Sequence, residues 1–401
     1  MAILKEQDII CISTSDWDYP FGSRQQIMKR LSKHNRILFV ESQISILHGI
    51  KYLSLFLKKL RNSLRGVWVV RESHESLYIF SPPPVFFPFD NYFMFVNSIN
   101  QKILLIFLKR FLKRLNFKPS IFWAFHPRHN KLIGVLGEKI SIYHCIDEYS
   151  VEKNSEMRKR VLAELEEETM KKVDIVFACS GEIYKMKSNL HNNVYLLRPG
   201  VDMERFKMAL KKNMVSSDIK RIKPPRIGFV GTVNRRLDID LIHDIALQKP
   251  EWSIVLIGIN QLNRRTNRLL KKLNNIHLLG FKSLEELPYY LMAMDICIIP
   301  YMINEFTKAI FPLKLFEYLA VGKPIISTPL PDLESFNNIV TIGKNSSEFI
   351  NSIEELLVKG HNRYIERLNV AESNTWEIRV EEASHIICRA IENKRNVKAE
   401  T

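Results

Sequence analysis

Short apolar runs rich in β-branched residues alternate with segments of helical periodicity over nearly the whole chain, the pattern that parallel sheets built from βαβ units leave in a sequence. Predicted strands fall at 9–13, 37–41, 120–125, 140–145, 175–179 and 194–197, and a second series at 226–230, 253–257, 276–279, 296–300 and 324–327. Between the series, residues 207–225 are polar, basic and proline-containing and read as a linker. Helix starts are signalled by Asp238 ahead of Leu241, Ile242 and Ile245, and by the capping pair Ser283 and Glu286. The expected architecture is α/β, with two doubly wound Rossmann-like domains at 1–206 and 226–374 and a terminal helix and tail at 375–401 that opens on Trp376. Ligands of such sheets bind beyond the carboxyl ends of the strands, so the cleft between two of them is the expected active site.

A length of 401 residues accords with two domains, each able to bury a core without metal or disulfide support. Cys11, Cys145, Cys179, Cys297 and Cys388 are scattered and odd in number, with no close pair to hold zinc, and read as reduced thiols. Lys5, Glu6 and Asp8 precede the first apolar run, which does not fit an export signal. The most apolar stretch, 76–89, is short and broken by Pro82, Pro83, Pro84 and Pro88, so no span is expected.

Charge changes this picture most. With 59 Lys+Arg against 43 Asp+Glu, the formal net charge is +16. Residues 51–71 hold Lys51, Lys58, Lys59, Arg61, Arg65 and Arg71 and no acid; residues 102–118 repeat this with Lys102, Lys109, Arg110, Lys113, Arg114 and Lys118. Leu53, Leu57, Leu60 and Leu64 in the first, and Leu104, Leu108, Phe111, Leu112 and Leu115 in the second, recur at helical spacing. Both read as basic amphipathic helices. Lys58, Lys59, Arg61, Arg65, Lys109, Arg110, Lys113 and Arg114 are expected to face an anionic membrane surface, at about 1 kcal/mol for each basic residue near the headgroups. Trp68 and the aromatic residues Phe86, Phe87, Phe89, Tyr92, Phe93 and Phe95 are candidate interfacial anchors. Core packing with solvated charges behind it is the plainer alternative. A nucleic-acid partner is not expected, because no zinc-finger spacing, ribonucleoprotein-type strand or basic zipper accompanies the charge.

Two segments carry candidate chemistry. Gly228 to Asp238 follows a strand and opens a helix, so that Gly231 allows backbone N–H groups to approach a phosphate and Arg236 can grip two of its oxygens. Lys314 and Glu317, in Pro312-Leu313-Lys314-Leu315-Phe316-Glu317-Tyr318-Leu319-Ala320-Val321-Gly322-Lys323-Pro324, share one face of a helix start. There a carboxylate can accept both ribose hydroxyls and a lysine one turn earlier can meet a diphosphate, or the two can form a helix salt bridge worth about 0.3–0.5 kcal/mol. Asp238-Ile239-Asp240 has the spacing of a metal-binding pair but lies in an opening helical turn, where capping is the expected role.

These segments, with Arg198-Pro199-Gly200-Val201-Asp202, resemble the retaining, metal-independent GT-B glycosyltransferases of the family 4 type, the glycosyl transferases group 1 superfamily. Weaker likenesses extend over 16–41 and 142–150. The resemblance implies a nucleotide-diphosphate sugar as donor, no cofactor and no metal. It places Gly231, Thr232, Arg236, Phe281, Lys314, Leu315 and Glu317 around the donor, with Glu317 on the ribose and Arg236 and Lys314 on the diphosphate. His126 takes the position of a histidine that contacts the donor sugar, and Asp18, Gly22, Ser23 and Arg24 lie on the acceptor side. The first of two acidic positions usual in the family is Ala309, which leaves Glu305, Thr307 or a backbone group for that contact. Asp147 and Glu148 are adjacent, point apart and do not suit a paired acid–base role. The expected activity is transfer of a sugar to a lipid-linked or envelope-polysaccharide acceptor by a cytoplasmic enzyme peripheral to the inner face of the cell membrane. A nucleotide-sugar epimerase, and a non-catalytic nucleotide-sugar-binding subunit, are the rival readings.

Overall fold

The computed structural model describes residues 4–18, 22–65, 67–69, 76–149, 155–212 and 216–400. Its first unit comprises Met1–Arg198 and Arg379–Thr401, and its second Pro199–Ile378.

In the first unit, β1 (Asp8–Ile12), β2 (Arg36–Val40), β3 (Val67–Val69), β4 (Leu77–Phe80), β5 (Ile121–Ala124), β6 (Ile140–Cys145), β7 (Ile175–Ala178) and β8 (Val194–Leu196) form one sheet of order β3-β4-β2-β1-β5-β6-β7-β8. Neighbouring strands are parallel except β3 and β4. Strands β5, β6 and β7 are buried at every residue, which is why they read as unbroken apolar runs: a parallel sheet is covered on both faces. In the second unit, β9 (Arg226–Val230), β10 (Ser253–Ile257), β11 (Ile276–Gly280), β12 (Ile296–Ile299), β13 (Ile325–Ser327) and β14 (Val340–Ile342) form an all-parallel sheet of order β11-β10-β9-β12-β13-β14. Each sheet reverses its winding beside its first strand, between β1 and β5 and between β9 and β12. The segments that leave those carboxyl ends begin at 13–18 and 125–130 in one unit, and at 231–238 and 300–304 in the other, the places where doubly wound sheets bind ligands.

All eleven predicted strands are present. The three additional ones are short: β3 and β14 have three residues each, and β4 runs into Pro82. The domain boundaries differ from expectation. The first unit ends at Arg198, and the predicted linker instead carries the helices Met203–Lys212 and Ser217–Lys220. Phe206, Ile219 and Ile222 sink into the second core and turn a basic, polar stretch into part of that unit. The expected terminal helix is present, as Trp376–Glu400. Within the helix Trp376–Glu400, Ala383, Ile387 and Ile391 are buried at helical spacing, and Lys394 pairs with Asp174 at 2.6 Å and donates to the Lys139 carbonyl at 3.0 Å. Cys11, Cys145 and Cys297 are buried and all five cysteines are free; burial pushes the Cys297 thiol up to about 12.

Among the described residues no helix is long and apolar enough to cross a membrane. The two basic helices behave differently. Met94–Arg114 buries Leu104, Leu108 and Leu112, sets Phe111 against Phe80 at 4.4 Å, and leaves Lys109, Arg110, Lys113 and Arg114 exposed. Leu53–Arg65 is inverted: Leu53, Leu57 and Leu64 are 62%, 54% and 81% exposed, while Lys59, on the opposite face, is 1% exposed. Lys59 was expected to face a membrane and does not. Its ammonium reaches inward to Asp16 at 2.5 Å and Glu41 at 3.3 Å, and this pairing outweighs the tendency of a lysine to stay solvated. Lys58 and Arg61 remain exposed; the side chain of Arg65, with Trp68 and Arg71, lies outside the described residues. Phe87, Phe89, Phe93 and Phe95 are exposed, whereas Phe86 is buried and cannot serve as an anchor.

Because the terminal helix completes the first core, Ile387→Ala is expected to destabilise that unit by about 2–5 kcal/mol, measured by urea unfolding. An unchanged unfolding midpoint would contradict this packing.

Candidate functional site

The loops after β9 and β12 are tied together. Asp238 N–H donates to the Pro300 carbonyl at 2.8 Å, Met302 N–H to the Arg236 carbonyl at 2.8 Å, and Leu237 bridges Tyr301. This brings Arg236 next to the segment that leads into the helix Lys314–Leu319. The Arg236 guanidinium lies over the Phe306 ring at 4.7 Å.

Gly231 occupies the centre of the arrangement. Its φ of +142° disfavours any side chain, and a Cβ there would stand 2.2 Å from Lys314 Cε and 2.6 Å from Nζ. A second glycine supports it: Gly258, at φ +143°, has space for no Cβ because the Gly231 carbonyl would be 2.1 Å away. Lys314 therefore lies directly on the backbone of the glycine turn. Its Nζ donates to Tyr301 Oη at 3.0 Å and sits over the rings of Phe229 and Tyr301 at 5.2 and 5.6 Å. It pairs with no carboxylate among the described residues. A half-buried cation backed by aromatic faces and lacking a counter-ion attracts an anion strongly.

Glu317, one turn on, is half-buried and makes neither a salt bridge with Lys314 nor a hydrogen bond among the described residues. Burial pushes its carboxyl above the usual range, while Lys314 and Arg205 pull it back. Thr232 is exposed, and Phe281, just past β11, is 60% exposed and presents a free aromatic face. The Leu315 side chain is fully buried in the core and its N–H is taken by the Pro312 carbonyl at 2.9 Å. Asp238 caps its helix through Leu241 N–H at 2.9 Å, and no group of side chains able to hold a metal occurs among the described residues. Around the buried Ala309, Thr307 donates its hydroxyl to the Met302 carbonyl, and Glu305 pairs with Lys308 at 2.8 Å on the surface.

In the first unit, His126 is buried just past β5. Its Nδ1 accepts from Arg128 N–H at 3.1 Å, and its ring lies 4.3 Å from that of Tyr149, whose hydroxyl donates to the Phe125 carbonyl at 2.7 Å. Arg24 stacks over Phe125 at 5.6 Å. Asp18 is exposed, Gly22 N–H is capped by Gln25 Oε1 at 3.1 Å, and Ser23 starts the helix Ser23–Leu31. Glu148 turns inward and, with Glu166, holds the buried Lys187 at 2.8 Å each; Tyr143 donates to Glu166 at 2.8 Å. This network, and Tyr301 in the second unit, are not visible in sequence spacing, because their partners stand 13 to 39 residues apart.

Comparison with known proteins agrees with this geometry. The family profile described as glycosyl transferases group 1 matches residues 224–359, the segment that holds Gly231, Arg236, Lys314 and Glu317. The putative teichuronic acid biosynthesis glycosyltransferase TuaH of Bacillus subtilis (strain 168) is 30% identical over 278 residues, 65% of this chain and 70% of its own length. Among solved structures, Anabaena Alr3699/HepE in complex with UDP has a TM-score of 0.65 at 13% identity, covering 96% of this chain and 100% of that one. WaaG, a glycosyltransferase involved in lipopolysaccharide biosynthesis, has a TM-score of 0.61 at 14% identity, covering 94% and 99%. These structures share the GT-B fold, two Rossmann-like α/β domains. The chain belongs to the group 1 glycosyltransferases.

Proposed function

We propose that this glycosyltransferase moves a sugar from a nucleotide-diphosphate donor to a lipid-linked or envelope-polysaccharide acceptor, with retention and without a metal, while seated on an anionic membrane surface. The observation that carries the donor reading is the Lys314 ammonium, which has no carboxylate partner among the described residues, packed on Gly231 one turn from Glu317, with Arg236 on the loop tied to the segment ahead of that helix. Relatives support it: the HepE structures contain UDP and UDP-glucose, and TuaH is named for teichuronic acid synthesis.

Cleavage of a sugar–diphosphate bond places positive charge on the sugar and negative charge on the departing phosphate. Cations already fixed at the phosphate stabilise that separation without reorganising. Lys314 and Arg236 fill this role, Glu317 accepts the ribose hydroxyls and Phe281 offers its face to the base. His126, buried and held by its backbone contact, orients the sugar and takes no proton; the leaving phosphate itself receives the proton of the acceptor hydroxyl.

The inverted helix Leu53–Arg65 carries the membrane reading. A helix of a water-soluble unit buries its leucines. This one buries a lysine and turns its leucine stripe outward, flanked by the exposed cations Lys58 and Arg61, an arrangement that suits an apolar phase beneath anionic headgroups.

Glu317→Ala is expected to weaken donor binding by about 1.5–3 kcal/mol, measured by calorimetry; unchanged donor turnover would remove the assignment. Because burial raises the Glu317 carboxyl above the ordinary glutamate range, donor affinity is expected to decline on acidification at a higher pH than an ordinary carboxylate would give. Glu317→Gln should flatten that acid limb, and a limb that persists in the variant assigns it to another group. Gly231→Ala should cost more than about 1 kcal/mol of stability and displace Lys314. A variant that melts like wild type and binds donor equally well would refute the glycine's role. Wild type should float with phosphatidylglycerol vesicles at low salt and less at high salt, and Leu57→Asp should remain in the pellet. Equal recovery with neutral vesicles at every salt concentration rejects the membrane surface.

A further inference from the structure

The second unit holds a cavity of about 350 Å³ beside the amino end of β14, on the edge of the sheet opposite the loops after β9 and β12, with Asn338, Thr341, Ser352, Lys359, Arg363 and Arg367 in its lining. Its cations come from two elements that meet there. Lys359 ends the helix Ser346–Lys359, and Arg363 and Arg367 stand one turn apart at the start of the helix Tyr364–Glu372. Lys359 lies 3.5 Å from Glu355; Arg363 lies 3.9 Å from Glu366 and donates to the Asn338 carbonyl. Both acids are exposed, where pairing is worth little, so the cavity stays positive. Arg367 is 2% exposed, and burial together with the like charge of Arg363 lowers its guanidinium from the ordinary value. Two planar guanidinia beside a lysine match a phosphate, while the Asn338 amide and the hydroxyls of Thr341 and Ser352 match a hydroxylated organic group. A cavity of this size takes a small molecule rather than a polymer.

The buried arginine also reaches the helix that carries Lys314. Arg367 Nη1 donates to the Gly322 carbonyl at 3.2 Å. Gly322, at φ +66°, closes the helix Lys314–Leu319: its N–H bonds the Leu319 carbonyl at 2.9 Å, and Lys323 N–H bonds the Tyr318 carbonyl at 3.2 Å. Tyr364 packs on this cap so closely that a Cβ on Gly322 would stand 2.2 Å from its ring. The helix has six residues, about 9 Å of rise, with Lys314 at its other end. Its Tyr318 hydroxyl accepts Val230 N–H at 3.0 Å, one residue before Gly231. The seat of the helix Tyr364–Glu372 is therefore tied, through one short element, to both the lysine and the glycine turn.

We propose that this cavity binds a small hydroxylated phosphate ester and that its occupation tightens donor binding, with Arg367 as the positioning residue between the two sites. A phosphate between Arg363 and Arg367 removes their repulsion and keeps Arg367 on Gly322, which steadies the helix that presents Lys314. By linkage, the donor tightens the phosphate ester by the same factor. The inference rests on the donor reading above and adds to it an effector site on the far edge of the same sheet.

The test reads amide hydrogen exchange at residues 338–342 and 363–368 with glycerol 3-phosphate, inorganic phosphate or glycerol, and calorimetric titration of UDP, GDP, ADP and dTDP with and without glycerol 3-phosphate. In wild type, saturating glycerol 3-phosphate should slow exchange at these positions about tenfold and glycerol should not. Exchange that does not slow overturns the cavity assignment. Inorganic phosphate should need about ten times the concentration, and equal potency overturns the organic part of the ligand. The slowing should persist in Lys314→Met; a signal lost there belongs to the donor site and overturns a separate one. Arg363→Gln should abolish the slowing and Arg363→Lys restore part of it, while both bind nucleoside diphosphate alone as wild type does. Slowing that survives in Arg363→Gln and in Lys359→Gln also overturns the site. Glycerol 3-phosphate should tighten the best-bound diphosphate about fivefold in wild type and not in Arg363→Gln. Slowing with unchanged diphosphate affinity overturns the linkage and leaves the donor reading in place. Wild type that binds none of the four diphosphates refutes the donor reading, and the linkage falls with it, whereas the exchange data still decide the cavity.

Discussion

A lysine ammonium lies on a glycine turn with no carboxylate among the described residues to neutralise it, and the surrounding backbone is arranged to permit that. Lys314 could pair with Glu317 on its own helix, but instead donates to Tyr301 and rests over two aromatic rings. The side-chain-free surface of Gly231 makes room for it, and Gly258 makes room for Gly231. Backbone hydrogen bonds between the loops after β9 and β12 then hold Arg236 against the segment that leads into the helix of Lys314. Keeping a cation half-desolvated without a counter-ion costs stability, and under the proposed donor reading a diphosphate would offset that cost on binding. The same desolvation raises the Glu317 carboxyl above the ordinary glutamate range.

Much of this was legible in the sequence. The strands could be read because parallel sheets covered on both faces require continuous apolar runs, and the motif from Pro312 to Pro324 lies on a helix start as its spacing implied. Capping by Asp238 followed from its place before an apolar helix. Other features were hidden for definite reasons. Helical periodicity finds the stripe of Leu53, Leu57, Leu60 and Leu64 but not the direction it faces, so Lys59 was placed outward when it is the helix's inward contact. Basic, proline-containing residues 207–225 resemble a linker until Phe206, Ile219 and Ile222 are seen in a core. The Lys187, Glu148 and Glu166 cluster joins residues that no local spacing relates.

The two units apply the same physics to different ends. The second leaves the Lys314 cation without a carboxylate partner among the described residues, the basis of the proposed donor site. The first pairs buried lysines: Lys59 has two carboxylates, on two loops, and so does Lys187, one on a loop and one on the helix Glu156–Met170. Buried ion pairs of this kind add little net stability over an apolar core but fix geometry, because breaking one leaves a charge stranded. In the first unit that geometry includes the loop after β1 and the inverted helix, where the exposed leucines would otherwise be an aggregation hazard in water.

The most direct test of the donor site is calorimetric titration of nucleoside diphosphates (UDP, GDP, ADP and dTDP) and the matching monophosphates into wild type and Lys314→Met. The account predicts that wild type prefers one diphosphate over its monophosphate, and that this preference, with its accompanying dependence on salt, disappears in the variant. A Lys314→Met protein that folds and keeps the full preference for the diphosphate would contradict it.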